Sequence, residues 1–422
     1  MANIIKAPRG TADLTPEQTR VWRYAESVIR GCAARFGFGE IRFPTFEYTE
    51  LFSRGVGETT DVVQKEMYTF EDRGGRSVTL RPEGTAPTVR AVLQNGLHNG
   101  PMPLRLYYLV SCFRGERPQA GRLREFHQFG AELFGAAGAA ADAELIALAA
   151  GVFEKLGIEG LELRLNSIGC PECRGAYHDA LRQYFESKKG ELCPTCLGRL
   201  ERNPMRILDC KEDGCKKAAA GAPRMLDYLC DDCRAHFGEV RERLEALGYG
   251  YTIDTSIVRG LDYYTRTVFE FVDAESGLTV CGGGRYDGLV AQLGGPQLPA
   301  LGFGMGLERL VMTMEKRGVP LPEDDTHGIF IASVGGEASR RAAELAFALR
   351  ALGIPAQYEL SARSVKAQMK YADKLNFGYT LVVGDDELRK NQAALRRMSD
   401  GKAAQVPLDG GFARACADFA GL

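Results

Sequence analysis

The chain has 422 residues, 45% of them hydrophobic and 26% charged, with a net charge of −2. That length allows two or three domains around a sizeable core, and near-neutrality confines any nucleic-acid surface to a local basic patch. The N-terminal segment has no apolar signal region and no apolar run is long enough to cross a bilayer. The expectation is therefore a cytoplasmic chain without a membrane span, its twelve cysteines being reduced thiols or metal ligands rather than disulfides.

In chain order, Thr15 caps a helix that begins at Pro16, and Gln18 completes a capping box. Val21, Ala25, Val28, Ile29 and Cys32 follow at helical spacing, and Gly37 ends the helix. The stretch GEIRFPTFE reads as a strand running into Pro44. Strand-like runs follow at MYTFED, RSVTLRPEG, LRLYYLVSCFRGE and REFHQFGAELFG. The last two flank a polar loop containing glycine, as an antiparallel hairpin would. A helix is expected over 142–156. Residues 167–248 read as a mostly helical insertion holding eight of the twelve cysteines. Strands return at YTIDTSIVRGLDYYTRTVFEFVD and LTVCGGGRYDGL, before a helix over 306–316. GVPLPEDDTHG reads as a linker. Strands and helices alternate beyond it, which implies a small α/β domain with a partly parallel sheet.

Four groups of residues could carry chemistry. Arg114, Glu116, Arg117, Arg122 and Arg124 gather around the hairpin. Several guanidinium forks there would clamp a triphosphate, the alternative being a surface strand paired with Glu116 and Glu125. In GFGMGLERL, alternating glycines let a strand approach a ligand or backbone closely, ahead of a helix carrying Glu308 and Arg309. In VRGLDYYTRTVFE, Arg259 and Asp262 precede two tyrosines. On a strand, Tyr263 and Tyr264 would face opposite ways, so at most one faces a given pocket. CGGGRYDGL marks a tight bend or a close ligand approach. With no P-loop and no HExxH helix, a site of arginines, carboxylates and glycines points to electrostatic phosphoryl or nucleotidyl chemistry.

Two further patterns lie outside these groups. Cys170 and Cys173, Cys193 and Cys196, Cys210 and Cys215, and Cys230 and Cys233 form pairs whose spacing suits one or two tetrahedral thiolate zinc sites, with reduced thiols as the alternative. Near the C-terminus, Arg363, Lys366, Lys370 and Lys374 would line one helical stripe, opposite an apolar stripe of Val365, Met369 and Ala372. Such a stripe suits RNA phosphates or is simply a solvated face.

Taken in order, these motifs resemble those of the class II aminoacyl-tRNA synthetases, and within them the histidyl-tRNA synthetase family. The strand ending at Pro44 resembles motif 1, CFRGERP with REFHQFGAELFG motif 2, and GFGMGLERL motif 3. RGLDYY, GGGRYDGL and RPEGTA resemble the signatures of the histidine enzymes. The likeness covers essentially the whole chain. It implies an α+β catalytic domain over 1–325, with an antiparallel sheet flanked by helices and the insertion at 167–248. It also implies an α/β anticodon-binding domain over 326–422. The implied reaction joins L-histidine to the 3′ end of tRNA(His) through a histidyl-adenylate, releasing AMP and pyrophosphate. Its implied partners are ATP with Mg and a second copy of the chain, the motif 1 strand lying at the dimer interface.

The resemblance also implies roles for single residues. Arg114 and Arg259 would hold the α-phosphate, Arg259 doing work that a metal does in related enzymes and bordering the histidine. Glu116 would contact adenine, Arg122 a further phosphate and Arg309 the γ-phosphate. Glu83, Thr85 and Gln128 would surround the α-amino and carboxylate groups. Glu132 and Tyr264 would meet the imidazole, with Tyr263 close by. Members of the family need no metal in the insertion for chemistry, so zinc there would be structural. The main rival is a regulatory subunit of ATP phosphoribosyltransferase, expected to lack the anticodon domain and to erode Arg114, Arg259 and Arg309. RGLDYY and GGGRYDGL argue against a synthetase for proline, threonine or glycine. A pure RNA-binding protein would leave the pocket residues unexplained.

Overall fold

In the computed structural model, residues 4–57, 60, 62–322 and 328–421 are described. The middle of the expected linker, 323–327, lies outside the described residues. The chain divides into two compact units, Met1–Leu321 and Pro322–Leu422. No helix among the described residues is long and apolar enough to cross a membrane.

The first unit is built on an eight-stranded sheet. Its spatial order is Gly39–Glu40, Leu104–Phe113, Glu125–Phe134, Ala300–Gly306, Thr279–Arg285, Thr265–Asp273, Leu161–Ser167 and Thr252–Ile253. The six central strands pair antiparallel, and each edge strand pairs parallel. The hairpin is fully registered from Leu104 opposite Phe134 to Phe113 opposite Glu125.

Alternation along each strand sorts the two faces. Phe129, Ala131, Leu133, Phe269, Phe271, Phe303 and Met305 point into one core. There they meet the helices Pro16–Arg35, Ala139–Lys155 and Leu307–Arg317. The first helix starts as its sequence demands, the Thr15 N–H donating to Gln18 Oε1 at 3.0 Å. The opposite face carries the site.

GEIRFPTFE is not one strand. Gly39–Glu40 joins the large sheet, while Phe46–Tyr48 joins a separate three-stranded sheet with Ser77–Leu80 and Tyr68–Glu71. Pro44 sits in the break, where it can give no ladder N–H. Buried Arg81 bridges the gap, donating to the carbonyls of Phe43 and Pro44, both at 2.9 Å, and of Ser111 at 2.6 Å. The long strand expected before Thr265 is also absent. Only Thr252–Ile253 is extended there, and 254–264 is loop.

The insertion between Leu161–Ser167 and Thr252–Ile253 is helical throughout. Its last helix, Asp231–Ala246, begins at Cys230 but buries Phe237, Val240 and Leu244 in the core of the main sheet. The insertion therefore merges with its host partway along that helix.

The second unit has a five-stranded sheet ordered Ala356–Tyr358, Ile329–Ser333, Tyr379–Val383, Gln392–Arg397 and Ala403–Pro407. The first three are parallel and the rest antiparallel. The expected alternation is present, and the sheet gains two further strands. Helix Val365–Lys374 docks through Ala372 and Gln368. Gln368 lies fully buried and bonds both the N–H and the carbonyl of Ser333 at 2.9 Å.

Candidate active site

Three rows of registered residues make the floor of the site. Val110, Gln128 and Gly306 form one row. Tyr108, Gly130, Gly304, Gly282 and Glu270 form the next, and Leu106, Glu132, Gly302, Gly284 and Val268 the third. The glycines make room for large side chains to lie flat across the sheet. A methyl group on Gly130 would collide with the Tyr108 ring, on Gly302 with the Glu132 carboxylate, on Gly304 with the Gln128 amide and on Gly282 with the Arg259 guanidinium. The glycine-rich motifs are thus a recessed floor rather than turns.

At one end of this floor is a carboxyl-rich pocket. Glu83 is 2% exposed, and its carboxylate accepts the N–H groups of Thr85 at 2.7 Å and Ala86 at 2.9 Å, where helix Thr85–Gln94 begins. Glu132 is fully buried. It accepts hydroxyl bonds from Thr85 at 2.8 Å, from Tyr108 at 3.0 Å and from Tyr286. Burial pushes the Glu132 carboxyl up to about 8, against the pull of those hydroxyls and with help from Glu83. Burial likewise raises Glu83. A pocket holding two desolvated carboxyls is poised for a ligand that brings positive charge or N–H donors.

Tyr263 and Tyr264 both reach this region, contrary to the strand-alternation expectation. They lie in the loop ahead of Thr265–Asp273, so the alternation rule does not apply. Their rings sit 4.7 Å apart, centre to centre. Tyr263 faces Thr85, Glu83 and Glu132 and packs on Tyr286, while Tyr264 lies against Arg259.

Beside the pocket lies a cavity of about 350 Å³ bordered by Arg114, Arg122, Arg259 and Arg309, with Phe126 and Gln128 on its wall. Arg114 donates to the Pro82 carbonyl at 2.8 Å, and its guanidinium stacks on Phe126, 5.1 Å from the ring centre. Glu116 pairs with Arg122 at 2.8 Å and more distantly with Arg114 at 3.9 Å. Arg259 has a left-handed backbone, φ 58°, and its half-buried guanidinium pairs with Glu270. Arg309 has no carboxylate partner among the described residues. Burial, and then repulsion from Arg122, pull its pKa below the ordinary value. Four guanidiniums facing one another across a cavity would be relieved by a polyanion. Glu308 is committed elsewhere, bonding the His127 N–H and its Nδ1, both at 2.9 Å.

Several site residues were not singled out one by one in the sequence, although Tyr286 and Glu270 lie within the motifs CGGGRYDGL and VRGLDYYTRTVFE. Tyr108 and Tyr286 hold Glu132, and Glu270 holds Arg259. Only strand register would have revealed Tyr108 and Glu270. Arg285, by contrast, is structural. It is wholly buried and pairs with Asp142, with further bonds to the carbonyls of Ala136 and Gly138.

The eight insertion cysteines form two quartets. Cys170, Cys173, Cys230 and Cys233 make one, and Cys193, Cys196, Cys210 and Cys215 the other. Within each, all four sulfurs lie within 4.8 Å of one another. Tetrahedral zinc with bonds of about 2.3 Å needs sulfurs about 3.8 Å apart. The separations in the structure are 3.5 Å for Cys170–Cys173, 4.0 Å for Cys170–Cys230 and 3.9 Å for Cys193–Cys210. Backbone N–H groups support the sulfurs, Cys230 donating to Cys173 at 3.1 Å and Cys193 to Cys215 at 3.2 Å. Burial opposes ionisation of Cys170, yet N–H bonds at the start of its helix bring its thiol down to about 7. The donor set and spacing fit zinc, with no open coordination position. Cys32, Cys112, Cys281 and Cys416 are separate buried residues.

In the second unit, Lys366, Lys370 and Lys374 lie exposed along helix Val365–Lys374. Arg363 does not join their stripe. It precedes the helix, pairs with Glu359 at 2.8 Å and covers the Tyr371 ring at 4.2 Å.

Comparison with known proteins gives a consistent set of likenesses. A family model described as histidyl-tRNA synthetase matches residues 10–310, and one described as anticodon binding domain matches 328–413. A histidine–tRNA ligase of Clostridium perfringens is 51% identical over 96% of this chain and 97% of its own. One from Caldanaerobacter subterraneus is 50% identical over 96% and 98%. Among solved structures, apo histidyl-tRNA synthetase of S. aureus aligns with a TM-score of 0.83 and 37% identity, covering 98% of this chain and 99% of its own.

Proposed function

The chain belongs to the histidyl-tRNA synthetase family, and from that membership we propose how its residues carry the reaction. It joins histidine to tRNA in an ATP-dependent ligation through a histidyl-adenylate. The observation that carries the residue assignment is a carboxyl-rich pocket and an arginine-rich cavity sharing one glycine floor.

Histidine occupies the pocket. Glu83 offers its remaining lone pairs to the α-ammonium, with Thr85 and Gln128 beside it. Glu132 accepts one imidazole N–H, and the Tyr264 and Tyr263 hydroxyls serve the far side of the ring. Two placed polar partners would reject a ring lacking the matching groups by roughly 10⁴–10⁵-fold. MgATP fills the cavity, its adenine against Phe126 and within reach of Glu116. Arg309 and Arg122 take the outer phosphates. Arg114 and Arg259 bracket the α-phosphorus where the histidine carboxylate attacks and pyrophosphate departs. Charge shifting onto the leaving phosphates is then met by guanidiniums already in place, which lowers the barrier without reorganisation. Arg259 stands over Gly282 and borders both ligands, so it is assigned the central role.

Each cysteine quartet is assigned a structural zinc ion. The tRNA is assigned to the exposed lysines Lys366, Lys370 and Lys374 of the anticodon-binding domain. A homodimer is supported by the three-stranded sheet, one face of which exposes Phe46, Tyr48, Tyr68 and Phe70 around Val78 and Leu80. An aromatic face of that kind fits a partner surface. Acting on these substrates, the chain works in the cytoplasm.

Single-turnover adenylate formation by Arg259→Ala tests the assignment. The rate should fall by about 100-fold or more, with circular dichroism unchanged. A near-normal rate removes Arg259 from the transition state.

A further inference from the structure

The loop 259–264 carries Arg259, Tyr263 and Tyr264, and its backbone is bonded to neighbouring elements, the Asp262 N–H donating to the Val56 carbonyl at 3.2 Å. Arg259 adopts a left-handed φ of 58°, a strained conformation for a side chain that long. Two arginines of the insertion add bonds to its carbonyls. Arg174 donates to the Tyr264 carbonyl, and through Nε to the Ile168 carbonyl at 3.2 Å. Arg206 donates to the Arg259 carbonyl at 2.9 Å and to the Gly260 carbonyl, and its Nε lies 3.4 Å from Asp262. Asn203 adds a bond to Asp262 at 3.2 Å.

Each arginine is tied to a different quartet. Arg174 follows Cys173 directly, on the helix capped by Cys170. Arg206 lies four residues before Cys210, and its carbonyl accepts a bond at 3.1 Å from Arg199, on the helix capped by Cys193. Cys210 is also flanked by Asp209 and Lys211, which form an ion pair at 2.9 Å and border the same cavity as Arg114, Arg259 and Arg309.

We propose that the two quartets are positioning devices for the two halves of the active site. The Cys170 quartet fixes the histidine pocket through Arg174 and Tyr264. The Cys193 quartet fixes the nucleotide cavity through Arg206, Arg259 and Lys211. The proposal rests on the zinc reading above. Tetrathiolate zinc, fully ligated, takes no part in chemistry but holds its loops rigid. Releasing it from one quartet frees one clamp while the other persists.

The test uses the full-length enzyme, with zinc counted by mass spectrometry and KM values read by pyrophosphate exchange. The wild type should hold two zinc ions per chain. Cys233→Ser and Cys215→Ser should each retain one. Cys233→Ser should raise KM for histidine about 10-fold and leave KM for ATP within about twofold, and Cys215→Ser should do the reverse. Arg174→Lys and Arg206→Lys guard against misfolding, since they keep all eight cysteines but lose the two-pronged donor. They should keep two zinc ions and reproduce the same split. Two zinc ions with both KM values moving together, or neither moving, overturns the positioning role alone. A wild type without zinc overturns the zinc reading and the proposal with it.

Discussion

Glu132 concentrates the physical tension of the site. Its carboxyl keeps its proton in the fold up to about pH 8 because burial opposes the charge. In the unfolded chain the same group ionises near its ordinary value of 4.5. Stability from this residue is therefore present at low pH and lost as pH rises between those two values. Glu132→Gln removes that loss. Its thermal midpoint relative to wild type should be higher at pH 8 than at pH 5, while histidine-dependent exchange falls by about 100-fold or more at both. A midpoint difference that does not change with pH would show that the carboxyl titrates normally. Arg259 presents the opposite case. Burial works against its charge, but Tyr264 and Glu270 outweigh it and keep the guanidinium ionised for its anionic substrates.

At the scale of elements, the glycine floor is the most demanding feature. Gly302 lies where a methyl group would strike Glu132. Gly302→Ala should therefore abolish histidine activation and cost about 1–3 kcal/mol of stability, measured by urea unfolding. Retained activity would mean that Glu132 is free to move aside. Helix Val365–Lys374 supports a separate prediction. Replacing Lys366, Lys370 and Lys374 by Ala should leave pyrophosphate exchange intact, raise KM for tRNA and reduce the salt slope of tRNA binding by about 2. An unchanged slope would assign those lysines to a solvated face.

The same scale shows what the sequence made legible. The first helix, the hairpin and the motif order could be read because capping, period-two alternation and turn residues are local signals. The glycine rows could not, because they arise from register between strands far apart in the chain. Tyr108 lies beside Gly130, and Glu270 beside Gly282, only once the sheet is assembled. The tyrosine pair was misread for a different reason. The local loop signals, Asp254, Ser256, Gly260 and Asp262, were outweighed by the surrounding apolar and aromatic residues, although Asp254 accepts the Ser256 N–H at 3.0 Å and turns the chain there. Arg363 was misread as part of a helical stripe because its spacing fits, whereas Glu359 and Tyr371 draw it off the helix.

For the molecule as a whole, the insertion is the part that sequence spacing described least well. The CxxC pairs suggested metal, but only the fold shows that Cys170 and Cys173 join Cys230 and Cys233, while Cys193 and Cys196 join Cys210 and Cys215. The exposed aromatics of the three-stranded sheet give the assembly its own test. Phe70→Glu should convert a dimer to a monomer by light scattering, and a wild type that is already monomeric would remove that interface from the account. The most direct measurement of the whole reading is ATP–pyrophosphate exchange by the wild-type chain without tRNA, run separately with each of the twenty amino acids. Exchange with histidine alone is the predicted result. Exchange with another amino acid would contradict the pocket built on Glu83, Glu132 and Tyr264, and no exchange from folded protein would contradict the assigned chemistry itself.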